Sequence, residues 1–406
     1  MRSIAVGSSR RQSGVALLVM VALLSLWGLY LMFGQLNARQ LQMARQQDAS
    51  LALAEARDAL IGDATGQPLL AEAGYLRLPD LGFRAGTLTE GESALTFAGD
   101  GKDLSVIGKF PWQTLRTAAL RDAQGECLWY VVSGRFKNDA WKTDPLNWDT
   151  QGQIDVVNEA GVPLANSVAA LLVAPGPALD GQRRTLADAA YAACGGNYDA
   201  RNYLDPFAAA NALAGQVNYF AGSTNNRVAA SSGNKAFVVA SSDHYNDRFL
   251  YVTVDDIFNI LIRRSDFVLA VHDLLASPAF MDHLRSIAVS GSKGSDNIAC
   301  TSAPNPNFCK NWKEMLFLTQ LSQPSRITVN GVQTSLACSR VLIFAGRKTA
   351  AQRRQTVAEK TDPSNYLEGL NLASFRVPTT SATAFGGSSG DFSAGSASTD
   401  LVRCLP

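Results

Sequence analysis

Gly14-Val15-Ala16-Leu17-Leu18-Val19-Met20-Val21-Ala22-Leu23-Leu24 opens a stretch that stays apolar through Phe33, and no charged side chain occurs between Gly14 and Ala38. Apolar on every face, it does not read as the surface helix of a soluble domain. At about 1.5 Å per residue it is long enough to cross a bilayer once as a helix, over about residues 15–34. Before it stands a basic leader, residues 1–14, with Arg2, Arg10 and Arg11 and no acid. Positive charge stays cytoplasmic, so the bulk of the chain is expected on the far side of the inner membrane.

Past the apolar run the pattern changes but remains helical. Ala49, Ala52, Leu53, Ala56 and Leu60 fall on one face, while Arg39, Arg45, Asp48, Arg57 and Asp58 lie mostly off it. Gly62 is the expected stop. The spacing predicts one helix over 15–62, about 47 residues and roughly 70 Å long, whose second half packs on a body.

The residues Arg10-Arg11-Gln12-Ser13-Gly14, followed by Val15 to Leu24, resemble the start of type IV pilins and pseudopilins. The resemblance covers about the first 60 residues. It implies cleavage after Gly14 by a prepilin peptidase and methylation of Val15. It implies assembly with other pilin subunits through the helix, Val19, Leu23 and Leu24 among its contacts. Major subunits of the family carry Glu where this chain has Val19; subunits lacking it include the tip-class pseudopilin of type II secretion. A minor, tip-capping or priming subunit of a type IV pilus or type II secretion pseudopilus is therefore the implied function. The body would lie in the periplasm, or extracellularly at a filament tip touching a surface or substrate. The alternative is a single-pass anchored envelope protein, a binding module or hydrolase that does not polymerise.

Thirty-six basic residues balance 35 acidic ones, leaving a net charge of +1 and no global field that suggests nucleic acid. The six cysteines, Cys127, Cys194, Cys300, Cys309, Cys338 and Cys404, make no CxxC pair, and His244, His272 and His283 are the only histidines. That composition disfavours zinc and suits up to three disulfides in an oxidising compartment. Cys300 and Cys309 are the most local pair, and Cys338 is the expected partner of Cys404.

Residues 63–376 form the body. Strands are expected at Ala94–Phe97, Leu104–Ile107, Leu128–Val132, Val168–Val173, Ala236–Ala240, Arg248–Val254 and Arg340–Phe344. Thr253 or Asp255 caps a helix through Ile262, and more helix follows from Phe267 to about Leu284. Asn330-Gly331 supplies the positive φ that a hairpin turn over 327–334 needs. Strands, then helices, then strands read as α+β. Residues 377–406, rich in Ser and Gly, are expected to be flexible up to Cys404.

One order of motifs occurs twice. Leu171–Gly176 leads to Gln182-Arg183-Arg184 and then Asn202-Tyr203-Leu204-Asp205. Leu342–Gly346 leads to Gln352-Arg353-Arg354 and then Asn365-Tyr366-Leu367-Glu368. Such an echo predicts two related halves, each Asn-Tyr-Leu-acid element tying a loop through side-chain-to-backbone bonds, with a paired metal or ligand site as the sharper alternative.

Catalytic signals are weak, and no enzyme is predicted. Gly386-Gly387-Ser388-Ser389-Gly390 matches a nucleophile elbow but lacks the strand and helix that such an elbow requires. Asp247, Asp255 and Asp256 lie near His244 in sequence, but Asp255-Asp256 is better explained as a helix start. Asp149 and Asp155 are a calcium candidate, since some pseudopilins bind Ca²⁺ in a loop, although the EF-hand pattern is absent; no other cofactor is expected. Trp112, Trp129, Trp141 and Trp148, with Tyr130, suit core filling or a partner-binding face, core filling being the simpler use.

Overall fold

A computed structural model describes residues 13–82, 89–95, 104–138, 145–184, 193–194, 197–206, 217–220, 234–239, 245–395 and 400–406. The chain opens with a single helix, α1 (Ser13–Gly66). Ala49, Leu53, Ala56, Leu60, Ile61 and Ala64 on one face of its second half are buried against the body. The helix passes Gly62 and ends four residues later. Its last turn is held there because Ala64 is fully buried and its carbonyl accepts from Gly74 N at 2.8 Å.

The first half of α1 corrects one expectation. Among the described residues no helix is long and apolar enough to cross a membrane. The expected transmembrane-plus-amphipathic helix on an α+β body is replaced by a mixed α/β chain with three disulfides.

Seven strands follow α1: β1 (Val106–Lys109), β2 (Trp129–Val132), β3 (Ile154–Asn158), β4 (Pro163–Val168), β5 (Ala170–Ala174), β6 (Lys235–Val239) and β7 (Arg248–Val252). Four helices come next: α2 (Val254–Leu261), α3 (Ser265–Ala276), α4 (Pro278–Ser286) and α5 (Pro306–Trp312). Thr253 starts α2 with a full capping box, and Pro278 divides into α3 and α4 the stretch that reads as one helix in sequence. The chain closes with β8 (Leu316–Ser325), β9 (Thr328–Val329), β10 (Val332–Gln333), β11 (Cys338–Phe344), α6 (Val357–Thr361), α7 (Gly369–Ser374), β12 (Thr379–Thr380), β13 (Ala384–Phe385) and β14 (Leu401–Leu405).

The strands form two copies of one unit. In the first, β2 and β7 flank β5, all antiparallel, while β3 pairs antiparallel with β4 and parallel with β6. In the second, β8 and β14 flank β11, again antiparallel, while β9 pairs antiparallel with β10 and parallel with β13. Chain order is the same in both. The outermost strands differ, since β1 runs antiparallel to β2 whereas β12 runs parallel to β8. Equivalent positions do equivalent work: Trp129 sits opposite Val173 and its ring lies 5.2 Å from Tyr203, as Phe317 sits opposite Ile343 and lies 5.3 Å from Tyr366.

Two cores follow from the alternation of side chains along β5. Ala170, Leu172 and Ala174 face α1 and the helical middle, while Leu171 and Val173 face β3, β6 and Tyr203-Leu204. The Ser- and Gly-rich end, expected to be flexible, instead supplies β12, β13 and β14, and Phe392 is buried against Trp148 and Phe267. A few apolar residues are enough here because each fills a slot that its half requires. The disulfides join Cys127 to Cys194, Cys300 to Cys309 and Cys338 to Cys404.

Candidate functional site

Two features stand out: the uncovered half of α1, and a pair of buried arginine cages that fix the body it sits on. On α1, Leu17, Leu18, Met20, Leu23, Leu24, Trp27 and Tyr30 are all exposed, Tyr30 at 75%. Single exposed apolar residues are ordinary, but a contiguous run on every side of a helix marks a surface that expects a partner. Val19, Leu23 and Leu24 belong to this run, while the Gly14–Val15 bond lies in the first turn of the helix. The helix is fixed to the body by more than apolar packing. Arg57 Nε donates to Tyr251 O at 3.1 Å on β7, and its guanidinium pairs with Asp256 at 2.7 Å.

Each cage is built by the repeated motif. Gln352 Oε1 accepts from Thr349 N (2.9 Å) and from Arg354 Nη2 (3.1 Å). Arg354 then donates to Gly346 O (3.0 Å) and Asn365 O (2.6 Å), and its guanidinium stacks 4.1 Å from the Tyr366 ring. In the first half Gln182 Oε1 accepts from Leu179 N (2.9 Å) and Arg184 Nη2 (2.6 Å). Arg184 donates to Gly176 O (2.6 Å) and Asn202 O (3.0 Å), with the Tyr203 ring 5.2 Å away. Asn202 Oδ1 and Asn365 Oδ1 accept from Arg183 N and Arg353 N. Each arginine thus ties the exit of a central strand to a distant turn, a role expected of the Asn-Tyr-Leu-acid element; of that element the Asn side chains do bond backbone.

The cages differ in their acids. Arg354 meets Asp149 Oδ2 at 3.1 Å with both side chains buried. Burial pushes the Asp149 carboxyl above its ordinary range, and Arg354 opposes that. Asp149 belongs to a first-half segment that reaches into the second half. There Trp148 packs edge-on against Trp312 at 4.6 Å, and Asn147 Nδ2 donates to Asn311 O and Glu314 Oε2. Nearby, Lys293 Nζ lies 3.6 Å over the Tyr366 ring and donates to Glu314 O. Burial pulls the Lys293 amine down to about 8. Burial alone would raise Glu314, but Lys360 and Asn147 hold it below its ordinary value.

The remaining predicted sites scatter. Asp155 accepts from Ser167 N and Asn234 Nδ2, so it does not join Asp149 as a calcium site. Among the described residues no group of three His, Cys, Asp or Glu side chains could hold a metal. Asp256 completes the α2 cap, while His244 and Trp141 lie outside the described residues. Trp129 and Trp148 are core residues. Ser388 N pairs with Asp400 O, in a turn between short strands rather than on an elbow. A groove of about 310 Å³ beside β10 and β14 is lined by Thr334, Ser335, Leu336, Ser389 and Arg403 but by no His, Asp or Glu side chain that could serve as a base. Sequence reading missed Asp149 as the partner of Arg354, because nothing in the chain marks a contact made across such a separation. No family model, curated protein or solved structure matches the chain.

Proposed function

We propose that the chain is a pilin-like assembly subunit of the minor, tip-capping or priming kind, processed after Gly14 and joined to other subunits through the first half of α1. The observation that carries this reading is the division of one 54-residue helix into an uncovered apolar half and a half seated on a large body. Burying Leu18, Leu23 and Leu24 against a neighbouring helix would contribute about 1.5–3 kcal/mol per side chain. That is enough for a few such residues to drive association without help from the body. A body of two fused units would crowd a repeating shaft, which favours a terminal position. Three disulfides support placing the body in an oxidising compartment, in the periplasm or outside the cell.

The deciding experiment is the intact mass and N-terminal sequence of the protein from cells with and without a prepilin peptidase. A chain starting at methylated Val15 only when the peptidase is present is the expected result. An unprocessed chain, or a cut elsewhere, overturns the reading.

A further inference from the structure

The two halves match closely enough that a mismatch between them is informative. In the second half, the acids at the end of the motif and at the start of the last strand accept from protein donors. Glu368 Oε1 accepts from Gln352 Nε2 at 2.7 Å. Asp400 accepts from Gly346 N at 3.0 Å and Asn371 Nδ2 at 2.8 Å. The equivalent acids in the first half are Asp205 and Asp247. Two of the three donors are diverted there. Asp205 is one methylene shorter than Glu368, and Gln182 Nε2 bonds Leu204 O instead. Gly176 N donates to Asp122 Oδ2.

What remains is a reciprocal pair. Asp205 N donates to Asp247 Oδ2, and Asp247 N donates to Asp205 Oδ2, both at 2.8 Å. Asn246 N and Asn218 Nδ2 add one further bond to the same two oxygens. The other oxygen of each acid, Asp205 Oδ1 and Asp247 Oδ1, is buried and has no hydrogen-bond partner. Among the described residues, Arg184 is the cation that acts on both carboxyls, and it also acts on Asp122 and meets Glu126 at 3.8 Å. The guanidinium of Arg184 is committed to carbonyl oxygens. Two carboxylates this close and this deep cannot both stay ionised on one cation whose donors are taken by carbonyls.

We propose that Asp205 and Asp247 together hold one proton, on one of their otherwise unpartnered Oδ1 atoms, forming a proton-binding carboxyl pair at the start of β7. Burial, and for Asp247 the neighbouring Asp205, push both carboxyls above their ordinary range, in agreement with this geometry. Asp247 directly precedes β7, and β7 carries the Tyr251 carbonyl that anchors Arg57 of α1. Losing the proton sets two negative charges against each other at the root of the strand that seats the helix. The inference stands apart from the assembly reading, since it concerns the body alone.

The sign follows from linkage. The folded chain holds one proton more than the unfolded chain at any pH above the ordinary Asp range and below the pair's own titration. Stability is therefore fully present at acid pH and falls as pH rises through that window, by about tenfold in the folding constant per pH unit. The test is urea unfolding of the full chain from pH 5 to pH 9, with and without EDTA, for wild type and Asp247→Asn. The amide of that variant can donate where the shared proton stood. The expected result is that Asp247→Asn loses this part of the pH slope and overtakes wild type at the alkaline end. Equal slopes with the variant weaker throughout would overturn the proposal. So would an EDTA-dependent loss of stability in wild type alone, which would assign the oxygens to a metal cation. Should Asp247→Asn not fold, Asp205→Asn tests the same pair from the other side. Infrared spectra of wild type then decide: a protonated-carboxyl band at neutral pH that disappears on alkaline titration is expected, and its absence refutes the shared proton.

Discussion

Removing Asp149 tests the contact that joins the two halves. Its carboxylate and the Arg354 guanidinium are 0–1% exposed, so neither can turn to water when the other is lost. Truncating one member of such a pair typically costs about 3–5 kcal/mol, because a buried charge is left alone. Arg354 retains Gly346 O, Asn365 O and Gln352 Oε1 as acceptors, which places Asp149→Ala near the low end, about 3 kcal/mol. Arg354→Met strands Asp149, whose Oδ1 already lacks a partner, and also orphans two carbonyls; about 4–5 kcal/mol is expected. The double variant should cost less than the two summed, with a coupling of about 2 kcal/mol. The first half supplies the comparison: Arg184 faces Glu126 at 3.8 Å and Glu126 is 28% exposed, so Glu126→Ala should cost about 1 kcal/mol or less. Urea unfolding with the disulfides intact, followed by tryptophan fluorescence, measures all four. Additive single effects, or an Asp149→Ala cost no larger than that of Glu126→Ala, would show that the cross-half pair is not what fixes the second cage.

Trp148→Ala should cost about 3–5 kcal/mol, since its ring fills a slot between Trp312, Phe344 and Phe392; thermal unfolding checks this, and a loss below 1 kcal/mol would mean the slot collapses. Gly152→Ala should prevent stable folding or shift the β3–β4 hairpin, because a Cβ there would meet Val168 O at 1.9 Å; soluble yield and hydrogen exchange of the hairpin report it. The Lys293 amine should titrate near pH 8 by side-chain NMR. Because its folded value is depressed, the chain should gain stability as pH rises between about 8 and the ordinary lysine value, and Lys293→Met should remove that gain. Ala56→Leu should overpack the seat of α1 on β5 and β7 and cost about 1–3 kcal/mol, read as a lower midpoint in urea.

Much of the body is legible in sequence wherever a local rule decides. Asn330-Gly331 marks a hairpin because both residues must take positive φ, and they do, at 49° and 80°. Thr253 announces α2 because its hydroxyl is three residues from Asp256. Ala49, Ala52, Leu53, Ala56 and Leu60 point to the body because a helix must bury such a stripe. The repeated Gln-Arg-Arg and Asn-Tyr-Leu motifs are readable as strings, but their meaning is not. Only the structure shows that each arginine ends under a tyrosine ring with strand and turn carbonyls as acceptors. What composition misjudges is the end of the chain. A Ser- and Gly-rich segment reads as unable to fold alone, and that physics is sound. It folds because the duplicated architecture leaves edges beside β9 and β11 for β13 and β14 to occupy, so the surrounding unit supplies the burial that the segment lacks.

The duplication also explains why the two cages no longer carry the same acids. In the second half, the segment around Trp148 and Asp149 is contributed by the first half, and it brings a carboxylate to Arg354 together with Lys293, Lys360 and Glu314. That cage can be electrically balanced because the fold delivers cations to it. In the first half, α1 seats on the face of β5 that carries Ala170, Leu172 and Ala174, while the cage lies with Tyr203 on the opposite face. Its arginine meets Glu126 only at the edge, at 3.8 Å, and Asp205 and Asp247 are left bonding each other's backbone. Among the described residues, the reciprocal carboxyl pair therefore occurs in the half whose arginine has no buried carboxylate as close as the one Asp149 gives Arg354.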